Sequence, residues 1–143
     1  MTPKQIQLVQ QSWTEVQPIA ETAAALFYQR LFELDPAMRA LFKRDLEEQG
    51  RLLMKMIDVA VAGLSRLESI LAAVQALGHR HARYGVTEQH YGTVAEALLW
   101  TLEQGLGSAF DAELREAWTA AYMLWAETMQ AAVQEGDEQI AAA

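Results

Sequence analysis

The chain has 143 residues, 52% of them apolar and 21% charged, a composition that fits one folded domain and not a disordered segment. Its net charge of −8 argues against nucleic acid or an anionic membrane as a principal partner. It has no cysteine, which excludes disulfides, iron–sulfur and metal–thiolate centres, and any cysteine-tethered prosthetic group.

The opening residues, Met1-Thr2-Pro3-Lys4-Gln5, lack the basic start and apolar run of a secretory signal. No apolar run nears the roughly 18 residues of a membrane span. A cytoplasmic location is therefore expected. Glycine and proline are sparse while alanine, leucine, glutamine and glutamate abound, so helix is expected nearly throughout.

A first helix is predicted from Pro3 to about Gln17, buried through Ile6, Val9, Trp13 and Val16 and stopped by Pro18. A second covers about Ile19 to Leu34 and carries Leu26-Phe27-Tyr28 and Leu31-Phe32. Asp35-Pro36 reads as a cap followed by a first-position proline, which starts a third, very short helix holding Met38, Leu41 and Phe42. After a polar connector, a fourth runs from about Leu46 to Leu64 on the stripe Leu53, Met56, Ile57, Ala60 and Leu64. Extending that stripe back one turn lands on Gln49.

Ser65 with Glu68 reads as a capping box for a fifth helix that ends near His81. Thr87 caps a sixth, striped by Tyr91, Val94, Leu98 and Leu102. Asp111 caps a seventh, with Leu114, Trp118, Tyr122, Trp125 and Met129 on one face. Residues 135–143 are expected to fray. Seven helical segments on one core imply a single all-α domain over residues 1–143. The very short third helix breaks any up-down bundle pattern.

Three polar residues interrupt the apolar stripes: Tyr28, Gln49 and His81. At 100° per residue, His81 lies within about 40° of Ile70, Val74 and Leu77, whereas His79 faces the opposite way. The imidazole is thus aimed inward near a helix end, where Gly85 lets the chain turn away. One ring nitrogen can reach the Leu77 carbonyl a turn back, which leaves the other free to bind something. A satisfied core histidine fits this segment equally well. His90, in the first turn of its helix, is expected to be exposed.

Gln11-Ser12-Trp13, Leu31-Phe32 with Asp35-Pro36, Leu41-Phe42, Met54 to Ala62, Leu77-Gly78-His79-Arg80-His81, Gly85-Val86 and Ala117-Trp118 with Tyr122 resemble, in order, the globin family. The likeness is to neuroglobin and, more closely, to bacterial single-domain haemoglobins related to the globin part of flavohaemoglobins. It implies a globin fold around a non-covalent haem b, with His81 as the proximal iron ligand. It further implies that Phe42 packs on the porphyrin and that Tyr28 and Gln49 hydrogen-bond a bound ligand. Leu53 would be the apolar distal residue, Val86 a haem-edge contact, and Leu77, Tyr91 and Val94 further lining.

The implied function is high-affinity, reversible O₂ binding, with NO or CO as other ligands. The alternative is nitric oxide dioxygenation with a separate reductase. This chain departs from the family in two places. Gln49 stands where neuroglobin offers a second histidine ligand, and Val133 stands where flavohaemoglobin-like globins place a proximal glutamate, with Glu127 and Glu135 at other helical angles. No strand-linked glycine loop for a flavin or nicotinamide occurs in these residues.

Overall fold

The structure, a computed structural model, describes residues 1–142, with side chains through Glu135. The backbone expected to fray from residue 135 is helical to Ala142, and the side chains beyond Glu135 lie outside the described residues. Among the described residues there are six α-helices and no strand: α1 (Pro3–Val16), α2 (Ala20–Leu34), α3 (Leu46–Ala62), α4 (Leu67–Arg83), α5 (Glu88–Leu106) and α6 (Ala112–Ala142). The short third segment foreseen after Asp35 is a 3₁₀ turn, Pro36–Leu41, so the all-α fold stands with one predicted helix replaced by a tighter turn. No described helix is long and apolar enough to cross a membrane.

The caps explain most boundaries. The Ala37 N–H donates to Asp35 Oδ1 at 3.2 Å and the Leu114 N–H to Asp111 Oδ1 at 2.9 Å. Asp45, within the polar connector, caps α3 through the Glu48 N–H. The anticipated Ser65–Glu68 box does not form. Ser65 closes a 3₁₀ turn, Gly63–Ser65, and donates its hydroxyl to the Ala62 carbonyl, so α4 begins after Arg66 with no side-chain cap. At Thr87 the partner is unusual: its backbone N–H donates to His90 Nδ1 at 3.0 Å.

The core is centred on α6. Trp118 is fully buried and donates from Nε1 to Ser12 Oγ at 2.9 Å, while Ser12 donates to the Val9 carbonyl. Trp13, 5.9 Å from Trp118 between ring centroids, reaches across to Asp58 of α3. A small polar relay inside an apolar core is thus fully satisfied, which costs little and orients α1 against α3 and α6.

Two glycines set the helix crossings next to the candidate site. A Cβ on Gly50 would stand 2.9 Å from Ala24 Cβ, so α3 and α2 meet closely there. A Cβ on Gly78 would stand 2.5 Å from the Met129 carbonyl oxygen, so α4 lies directly on the backbone of α6. Gly78→Ala should destabilise the fold by about 1–3 kcal/mol, because backbone, unlike a side-chain tip, cannot swing aside. Gly92→Ala, with nothing within 4 Å in α5, should stabilise it by about 0.5–1 kcal/mol. Urea unfolding midpoints check both; equal effects would contradict the crossing.

Candidate functional site

His81 lies half-buried in the last turn of α4, and its Nδ1 stands 2.8 Å from the Leu77 carbonyl oxygen. A carbonyl only accepts, so Nδ1 carries the proton and Nε2 keeps its lone pair. Among the described residues Nε2 has no hydrogen-bond partner. Burial lowers the His81 pKa from its ordinary value near 6.5. The Leu77 bond opposes that shift and the Arg80 charge adds to it. The ring is therefore a neutral imidazole presenting one free nitrogen, the form that binds a metal.

The backbone around the ring is equally constrained. The His81 carbonyl accepts from the N–H groups of both Tyr84 and Val86, at 3.1 and 3.0 Å, which ties Val86 to the end of α4. Gly85, at φ 92°, supplies the left-handed residue this corner needs. Tyr91 of α5 lies nearly parallel to the imidazole at 6.4 Å, and its own carbonyl accepts from the Tyr122 hydroxyl at 2.6 Å. Burial raises the pKa of both phenols. Val133, with Tyr91, Val86 and Gly78, lines a cavity of about 130 Å³ beside α4. Among the described residues the only carboxylate on that wall is Glu88, and the α6 residues that line it are Gln130 and Val133.

Tyr28 is buried in α2, 4% exposed, inside a cluster with Phe27, Phe32 and Phe42 at ring distances of 5.2–6.0 Å. Its hydroxyl stands 3.4 Å from the Gln49 carbonyl oxygen. Burial raises the phenol pKa, the Gln49 contact offsetting it in part, so the hydroxyl keeps its proton and remains a donor. The structure thus brings Tyr28, Gln49 and Phe42 together. The Tyr28 hydroxyl meets the main chain of Gln49, and the Gln49 side-chain amide lies within reach of the same phenol. Leu53 is one turn along α3 from Gln49 on the same face.

Phe42, Leu53, Leu77, Tyr91 and Val94 all pack on the core yet remain half-exposed. They belong to four segments: the end of the turn after Asp35, α3, α4 and α5. His90 stands apart, with its Nδ1 bound to Thr87 and its Nε2 4.0 Å from Asp35. His79 is exposed. Among the described residues no three metal-ligating side chains come together. A metal held by His81 would need its remaining ligands from a cofactor. A lone neutral imidazole, half-buried apolar walls and a polar pair, Tyr28 with Gln49, fit a haem.

An all-α fold with a half-buried histidine in the last turn of α4 fits a globin. The chain belongs to the globin family, whose sequence model matches residues 25–129. It is 30% identical over 136 residues to neuroglobin of Danio rerio, covering 85% of this chain and 86% of that protein. It is 30% identical over 117 residues to the flavohemoprotein of Vibrio cholerae serotype O1, covering 77% of this chain but 30% of that longer protein. Among solved structures, an engineered carbene transferase, attributed as a nitric oxide dioxygenase, from Rhodothermus marinus superposes with a TM-score of 0.85 at 26% identity. The match covers 99% of this chain and 98% of that one.

The lowered His81 pKa has a sign. The unfolded ring binds more protons than the folded one, so this group's contribution to stability is complete above its ordinary value, near 6.5, and shrinks below it. In cofactor-free protein, lowering the pH from 7.5 to 5 should therefore destabilise the native chain more than His81→Gln. Parallel urea midpoints for the two across that range would refute the burial argument.

Proposed function

We propose that this globin binds one non-covalent haem b per chain through His81 and holds O₂ tightly and reversibly beside Tyr28 and Gln49. Bound haem supplies a redox-active iron at which O₂, NO or CO binds. The observation that supports the reading most is the geometry of His81: Nδ1 is committed to Leu77, and Nε2 is a free lone pair in a neutral ring. The absence of cysteine leaves the axial bond and apolar contacts as the means of retention.

The chain's own residues divide the work. Leu77 fixes the tautomer and tilt of the imidazole. Phe42, Leu53, Val86 and Val94 cover the flat apolar faces and keep water out, and Leu77 and Tyr91 complete the wall. Tyr28 and Gln49 donate hydrogen bonds to a diatomic ligand between them. Each such bond contributes about 1–2 kcal/mol, roughly a tenfold slowing of release. The second reading is nitric oxide dioxygenation. It draws on the flavohemoprotein relatives and on the attributed activity of the Rhodothermus marinus neighbour, and it requires electrons from a separate reductase. A cytoplasmic location suits either role.

His81→Ala should abolish tight haem binding or the iron–histidine stretch in resonance Raman spectra, while His79→Ala and His90→Ala keep both. A native spectrum in His81→Ala would refute the axial assignment.

Tyr28→Phe should speed O₂ release about tenfold, more than Gln49→Leu, because the phenol is held by three aromatic rings. The double variant should fall short of additivity if both donors address one ligand. Stopped-flow O₂ release decides this; full additivity would place the two in separate environments.

A further inference from the structure

The charge of this acidic chain is unevenly distributed. Residues 39–83 hold eight of the eleven Lys and Arg but only five of the nineteen Asp and Glu, so this segment carries +3 and the rest of the chain −11. The fold concentrates part of that excess at one corner. Lys43 and Arg44 follow Phe42, and Arg80 and Arg83 end α4, flanking the exposed Tyr84, which is 62% accessible. The two stretches are far apart in sequence, but a Cβ on Gly85 would stand 3.6 Å from Leu41 Cδ2, so they meet in space.

All four cations are exposed, and among the described residues none pairs with a carboxylate. The acids that follow, Asp45, Glu47 and Glu48, are exposed as well, Asp45 capping α3 and Glu47 pairing with Arg51 at 3.5 Å, whereas the corner itself, residues 42–44 with 80–85, holds no acid. One cation in the last turn of α4 would satisfy the helix dipole, so the cluster exceeds what helix stability asks for.

We propose that the corner where Phe42–Arg44 meets Arg80–Gly85 is the docking surface for a compact acidic electron-donor protein, a proposal that rests on the haem reading above. Phe42 and His81 both adjoin this corner, so a donor seated there approaches the edge of the cofactor site. The donor gives up one electron and ferric iron takes it to become ferrous; no atom is transferred. An acidic protein is repelled by the acidic remainder of the chain and attracted at this corner, which orients it during approach. An extended polyanion such as RNA, or an anionic membrane, would meet more of the repelling surface than of the corner.

The test uses ferric haem-loaded protein and a photoreduced flavodoxin, a small acidic flavin protein, with free reduced riboflavin as the small-molecule control. Reduction by flavodoxin should slow at least about fivefold between 50 and 300 mM salt, as screening shortens the reach of the field. The triple variant Lys43→Glu/Arg44→Glu/Arg83→Glu should slow it about tenfold at low salt. Arg115→Glu on α6, Soret absorbance and the riboflavin rate should be unchanged. Lys43→Gln and Arg44→Gln should give smaller steps in the same direction, which covers poor folding of the triple variant. A flavodoxin rate flat in salt and in all variants, with an intact Soret band, would overturn this inference alone. Loss of the riboflavin rate in parallel would overturn it too. Absence of a Soret band in the native chain would overturn the haem reading itself.

Discussion

The 2.8 Å bond between His81 Nδ1 and the Leu77 carbonyl is the interaction on which the candidate site depends. It joins a sequence position, one helical turn, to an electronic state. The carbonyl lies inside α4, where the helix supplies the His81 N–H from one turn on, so the ring adds a second donor to an acceptor that the backbone already satisfies. That added donor fixes the proton on the nitrogen nearer the chain. The nitrogen left free is the one that points away. Burial then keeps the ring neutral, since a charged imidazole among Tyr91, Leu77 and the cleft walls would be poorly solvated.

This arrangement holds only if α4 is held firmly. The Gly78 contact with the backbone of Met129 sets the distance between α4 and α6 one turn before the histidine, and the doubly accepting His81 carbonyl secures the turn after it. Between those two restraints the ring has little freedom to drift. On the other side, the close approach at Gly50 seats α3 against α2 and so brings Gln49 to Tyr28. Each helix that carries one of the half-exposed apolar residues is braced by α6 or α2.

The fold and the inward histidine were legible in sequence because both rest on helical period, a local property. The stripe Ile70, Val74, Leu77 and His81 needs no knowledge of what it packs against. Caps at Asp35 and Asp111 were legible for the same reason. Ser65 with Glu68 has the spacing of a cap as well, but Gly63 packs so closely on Ile70 that the chain turns as a 3₁₀ segment there and Ser65 falls outside the cap position. Gly78 is opaque in sequence, where a glycine in a helix only weakens it; its reason is the backbone of a helix some fifty residues later. The cationic corner could have been found by counting charges along the chain. Only the fold shows that its two halves meet.

Tyr28 and Gln49 differ in what they give up to reach a ligand. The phenol hydroxyl already faces the Gln49 carbonyl, but at 3.4 Å that bond is long for an O–H donor and correspondingly weak. The same carbonyl belongs to α3, where the helix supplies an N–H from one turn on, so losing the phenol leaves it satisfied. Turning the hydroxyl toward a bound ligand therefore costs little, and the aromatic cluster around Tyr28 has already restricted the ring. The Gln49 amide must order a flexible side chain on a half-exposed helix turn. Of two donors with similar bond strength, the one whose ordering is complete before the ligand arrives retains more of that strength as affinity. On the proposed haem reading, Tyr28 would set the affinity of the pocket and Gln49 would adjust it.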